Sequence, residues 1–156
     1  MVSSQILLEV TIKWLKELRD EDEFLKKTGL MGEYGENQKT PLSLCAIEKK
    51  DIINDSIVGL NMMEGFIWRL KIEDHYVSIK TYASIKEEAD KIIEKYIDKI
   101  ETTYSIPTVN EIKIIEIGQT IDTSPVRLDK LNGEKMFSRK LVFSVRINDL
   151  IKKTTE

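Results

Sequence analysis

The stretch that most constrains this chain runs from Leu131 to Ile147 and reads Leu-Asn-Gly-Glu-Lys-Met-Phe-Ser-Arg-Lys-Leu-Val-Phe-Ser-Val-Arg-Ile. A turn signal at Asn132-Gly133 leads into an alternation in which Leu141, Phe143, Val145 and Ile147 share one face. Lys140, Ser144 and Arg146 share the other, and Val142 is the one break. Such a pattern describes a half-buried strand with a charged outer face. It therefore requires a sheet with one side packed on a core.

The chain has 156 residues, enough for one domain that buries roughly 70% of its unfolded surface. No disulfide or metal staple is needed at that size. Apolar residues make up 41% and charged residues 33%, the latter above the ~25% average, so a heavily charged surface is expected. With 24 basic and 27 acidic side chains the net charge is −3, and there is no global basic field for nucleic acid. Cys45 is the single cysteine, which excludes an intramolecular disulfide and fits a reducing compartment. The apolar run after Met1 ends at Glu9 and has no basic flank, so neither a secretory signal nor a membrane span is expected.

From the N-terminus, Ser3 or Ser4 can cap a helix bearing Leu8, Ile12, Leu15 and Leu18, with Trp14 beside the stripe, and this helix is expected to reach about Lys27. The run from Arg19 to Glu23 reads as a solvated helix face or a fraying end. Gly29, Gly32, Gly35, Asn37 and Pro41 mark a long loop over 28–41, and their spacing is no dinucleotide fingerprint. Leu42, Leu44 and Ala46 predict a first strand, and Asp51 to Gly59 reads as a connection with a short strand or turn around Ile57 and Val58. Phe66 to Ile72 and Val77 to Thr81 predict a β-hairpin turning at Asp74-His75, with His75 an exposed turn residue. Ser84 and Glu87 form a capping-box pattern for a helix reaching about Tyr104, whose stripe is Ala89, Ile92, Ile93, Tyr96, Ile97 and Ile100. After Pro107, Ile112 to Ile117 predict a strand, 118–133 a second long loop, and Asn148 onward a polar tail. The fold class is α+β, a single domain over 1–156 with a mixed or antiparallel sheet packed against two amphipathic helices.

The catalytic inventory is thin. His75 is the only imidazole, so a nucleophilic triad lacks an oriented base, and zinc or iron sites fail on ligand count. The Asp51 to Asp55 segment is too sparse for calcium, and the 27 acidic residues single out no glycosidase pair. A chain that assembles or binds is therefore expected rather than an enzyme, with no cofactor. Arg127, Lys130, Lys135, Arg139 and Lys140 cluster around the last loop and strand. They read either as a solvated strand face or as a charged interface that docks a partner. Only Phe137 is interleaved with them, which argues against a single-stranded nucleic-acid platform.

The order helix, strand, hairpin, long helix, strand, loop and final strand resembles the tail terminator, or tail completion, proteins of long-tailed bacteriophages and phage-tail-like particles. Gly133, Phe137, Arg139, Leu141, Phe143 and Val145 fit the closing strand of that family. The resemblance implies a homo-oligomeric ring, most simply a hexamer, capping the head-proximal end of the tail tube. It implies as partners the tube, its sheath and a neck or collar protein, with no membrane and no sequence-specific nucleic acid. Assembly would take place in the host cytoplasm, and the mature location would be the particle. The same features leave open another neck, adaptor or tube component, or a small ligand-binding domain or enzyme.

Overall fold

Three strands of 20, 18 and 21 residues dominate the architecture, and their length decides what the rest of the chain can cover. The computed structural model describes residues 4–32, 39–103 and 115–154. In chain order these residues form α1 (Ser4–Asp20), a 3-10 turn (Leu25–Lys27), β1 (Gly29–Met31), β2 (Leu42–Asn61), β3 (Phe66–Ala83), α2 (Lys86–Glu101), β4 (Ile115–Thr123), β5 (Arg127–Leu131) and β6 (Glu134–Thr154). The sheet has six strands in the order β1-β2-β3-β6-β4, with β5 pairing β6 beside β4. β1 runs parallel to β2 and every other pair is antiparallel, so the sheet is mixed and the fold is α+β.

The core lies where both helices meet one face of the sheet. Val77 and Ile79 of β3 and Leu141, Phe143 and Val145 of β6 are fully buried, together with Leu7 and Leu15 of α1 and Ile92, Ile93, Tyr96 and Ile100 of α2, and Trp14 of α1 is nearly so. The alternation in the last strand thus places its apolar set against α2 as expected. On α1 the buried positions are Leu7, Thr11, Trp14 and Leu15, while Leu8, Ile12 and Leu18 are partly buried. Trp14 belongs to the core itself and meets Phe143 edge-on at 6.2 Å. Across the β2–β3 pair, the Ser43 and Thr81 hydroxyls hydrogen-bond at 2.8 Å, so two buried polar groups satisfy each other.

Several expectations are corrected. The first helix ends at Asp20 rather than Lys27, because the Asp22 carboxylate accepts the Phe24 and Leu25 amides and turns the chain into the 3-10 segment. Part of the 28–41 loop is strand: β1 joins β2 there, while residues 33–38, including Gly35 and Asn37, lie outside the described residues. Asp51 to Gly59 is no connection, since β2 continues through it to Asn61. The pairing slips at Ile47/Lys49, Ile52/Asn54 and Ile57/Gly59, and these bulges break the alternation that would have revealed a strand. Asp74-His75 is no turn either. β3 runs unbroken from Phe66 to Ala83, and His75 is 1% exposed, paired across to Val145 and Lys50. The hairpin turn instead occupies 62–65, where Gly65 has a φ of 71°.

The Ser84 capping box does not form. α2 starts at Lys86 behind Ile85, which makes no side-chain cap, and Glu87 and Glu88 complement the helix dipole. The expected loop at 118–133 is largely strand, with β4 reaching Thr123 and β5 covering Arg127–Leu131. β5 and β6 turn at Asn132-Gly133, both with positive φ, as the dipeptide predicts. The polar tail from Asn148 is strand as far as Thr154, held by β3. Ser3, Tyr104, Pro107, Ile112 and Ile114 lie outside the described residues.

Candidate functional site: the uncovered arm of the sheet

A 20-residue strand spans roughly 65 Å, whereas a helix of 16 or 17 residues spans only about 25 Å. The two helices therefore cannot cover the sheet, and the far ends of β2, β3 and β6 project as a three-stranded arm comprising 51–61, 66–72 and 148–154. Its register is continuous: Phe66 pairs Asn61 and Thr154, and Trp68 pairs Gly59 and Lys152. No described residue lies over either of its faces in the way the helices lie over Val77 and Phe143. Of the large apolar side chains that are exposed among the described residues, all but Ile85 and Leu128 are on this arm or its turn.

On the face that continues the core, Ile52 is 57% exposed, Ile57 62% and Leu60 58%. Asp55 and Arg69 form a two-pronged ion pair there, with Nη2 donating to Oδ2 at 2.9 Å. An open cavity of about 530 Å³ beside them is lined in part by Lys71, Asp149 and Ile151. The opposite face carries Phe66, Trp68, Leu70 and Ile72 in a line along β3, all half-buried. Phe66 and Trp68 pack edge-to-face at 5.8 Å, and Lys152 Nζ sits 4.0 Å from the Phe66 ring centre. Gly59 permits Trp68 to lie flat, because a Cβ there would meet the indole at 3.3 Å. At the tip Met63 is 98% exposed.

Toward the body the helix-free face becomes a row of internally matched charges. Arg146 donates to Asp74 at 2.8 and 3.0 Å, Lys140 pairs Glu48, and Lys80 pairs Asp129 at 2.6 Å. The Lys80 hydrogen bond, with the Lys130 amide, pulls the Asp129 carboxyl down to about 2, and Lys140 holds Glu48 below its ordinary value. Lys49 and Lys80 lie over Tyr76 and Tyr82 at 4.6 and 5.1 Å. Lys80, Lys140 and Arg146 on this face are thus already matched by carboxylates and Lys49 by the Tyr76 ring, while Arg127, opposite Ser138, is exposed.

The predicted basic cluster divides. Arg127, Lys130 and Lys135 are exposed, with Lys130 and Lys135 opposite each other in the β5–β6 hairpin. Lys140 is half-buried on the helix-free face, and with Lys80, Arg127 and Arg139 it adjoins a cleft of about 250 Å³. Arg139 departs from the expectation of an exposed docking charge. It is 9% exposed and donates to the Ser124 carbonyl at 3.0 Å, to Asp90 Oδ1 at 2.6 Å and to Glu94 at 3.4 Å, tying β6 to α2. Its burial follows from strand parity, since it shares the helix side with Leu141 and Phe143.

The remaining reactive groups are sequestered. Burial pushes the Cys45 thiol up to about 12, which leaves it inert. His75 and Glu73, 1% and 4% exposed, lie side by side at the base of the arm, and neither His75 nitrogen has a hydrogen-bond partner. Among the described residues no three metal-ligating side chains converge, and no helix is long and apolar enough to cross a membrane. No protein-family model matches the chain, and no curated protein matches it. The arm was missed in the sequence because Asn54, Asp55 and Ser56 resemble turn residues. The signal that could have found it is the absence of proline from 42 to 61 together with Ile52, Ile53, Ile57 and Val58.

Proposed function

We propose that this chain is a structural ring subunit that caps the head-proximal end of a phage or phage-like tail tube, ends tube growth and offers a docking face to the neck or collar. The observation that carries the reading is the uncovered arm. A three-stranded sheet with apolar side chains exposed on both faces is a liability in a monomer and an asset in an assembly. The helix-covered body supplies the rigid part of each subunit. The closing-strand residues Gly133, Phe137, Arg139, Leu141, Phe143 and Val145, which carry the family resemblance, fall in the β5–β6 turn and along β6, where they build that body. Capping in such an assembly needs no catalysis, only a surface that matches the last tube ring and refuses another.

The test is to add the purified protein to growing tail tubes and to measure tube length and end structure by electron microscopy. Tubes that stop growing and carry a ring at one end support the reading. Tubes that lengthen as before, with bare ends, overturn it.

A further inference from the structure

Two buried ionisable groups stand where the helix-covered body gives way to the arm. Glu73 and His75 are two residues apart on β3, so they share its helix-side face. Both are almost fully buried, yet neither imidazole nitrogen nor Glu73 Oε2 has a hydrogen-bond partner. Such atoms are rare in folded chains, because an unpaired buried group bears its whole desolvation cost. The cation beside them is Lys50, which stands across from His75 in the β2–β3 ladder. Its Nζ lies 3.3 Å from Glu73 Oε2 as an ion pair without a hydrogen bond.

The surroundings of the imidazole offer no other partner for a charge. Asp74 points to the helix-free face, where Arg146 holds it, and Lys49 and Asp51 of β2 lie on that face opposite Tyr76 and Asp74. On β6 and β4 the neighbours on the helix side are Val145 and Ile117. The buried stripes of α1 and α2 carry no charge, only the Thr11 hydroxyl and the Tyr96 phenol, both also unpartnered. Among the described residues, Glu73 is therefore the one carboxylate available to both Lys50 and a protonated His75.

Position gives that competition a consequence. Residues 49–52, which include Lys50, lie between the register slips at 47/49 and 52/54, so their ladder to β3 is interrupted at both ends. β3, in contrast, pairs β6 without a slip from Phe66 to Ala83. We propose that His75 is an acid switch for the arm: a proton taken up by its imidazole draws the Glu73 carboxylate away from Lys50, and β2 loosens from β3 over 49–61 while β3 and β6 stay paired. Burial holds the imidazole neutral at higher pH, so the transition falls below its ordinary 6.5. The switch works whatever the arm binds.

The test is amide hydrogen exchange on the full-length chain at pH 7.5 and 5.5, with rates corrected for the intrinsic effect of pH. Protection over 49–61 should fall about tenfold, the factor supplied by one proton bound at 6.5 in the loosened form, while β6 and α2 keep theirs. His75→Leu, which cannot take up the proton, should keep 49–61 protected at both values. Lys50→Met, which removes the tie outright, should leave 49–61 weakly protected at both. His75→Gln replaces His75→Leu if leucine unfolds the chain. Wild-type protection over 49–61 that ignores pH, or that falls only together with α2, overturns the proposal. An equal fall in the His75 variant, or a Lys50→Met chain as protected as wild type at pH 7.5, overturns it as well.

Discussion

His75 is the residue whose environment most clearly sets a measurable property. Burial pushes its pKa below the ordinary 6.5, and Lys50 pushes the same way against the opposing carboxylates of Glu73 and Asp74. The unfolded chain therefore binds a proton at a pH where the folded chain does not, so this contribution is complete above 6.5 and is lost as the pH falls below it. Chemical denaturation should show stability declining below that pH, with a shallower decline in His75→Leu. A parallel pH profile for the variant would mean that the imidazole is not held neutral. Phe143 sets a second property, because it is fully buried against Trp14. Phe143→Ala should cost about 3–5 kcal/mol, read from the denaturation midpoint at unchanged slope.

At the level of the element, β4 depends on a close approach that only glycine allows. A Cβ on Gly118 would lie 1.8 Å from Ser144 Oγ and 3.3 Å from the Ser144 carbonyl. Gly118→Ala should cost about 1–3 kcal/mol through overpacking, and Ser144→Gly in the same chain should recover part of it. Additive losses in that double variant would show that the two do not touch. α2 is secured differently. Its stripe buries Ala89, Ile92, Ile93, Tyr96 and Ile100, and Arg139 joins its exposed side to β6 through Asp90. Arg139→Ala should lower stability by about 1.5–3 kcal/mol, measured by thermal or chemical melting, since charged hydrogen bonds are lost and the carboxylates regain water only in part.

For the whole molecule, the division of the basic cluster separates folding from assembly. Lys130→Glu with Lys135→Glu alters only exposed side chains, so the melting temperature should stay within a degree or two of wild type. If that hairpin meets the tube or the neck, the double variant should nevertheless fail to cap tubes in the electron-microscopy assay. Normal capping by it would confine docking to other surfaces. The arm sits at the far end of β3 and β6 from this hairpin, so the two surfaces are free to engage different partners.

Periodicity in the sequence determined the local elements. The Leu141 to Ile147 alternation, the α2 stripe and the Asn132-Gly133 turn follow from side-chain spacing and backbone preference alone, and each is present where expected. The α+β class follows from the same patterns. Strand length was decided by tertiary pairing. Asp74-His75 and Asn54-Asp55-Ser56 favour turns locally, but hydrogen bonds to β6 on one side and across the β2–β3 ladder on the other keep them extended, and this pairing outweighs the local preference. The same pairing buried His75 and created the arm. It also divided the basic cluster, because whether a side chain such as Arg139 meets a helix or solvent depends on which face of the finished sheet the helices occupy.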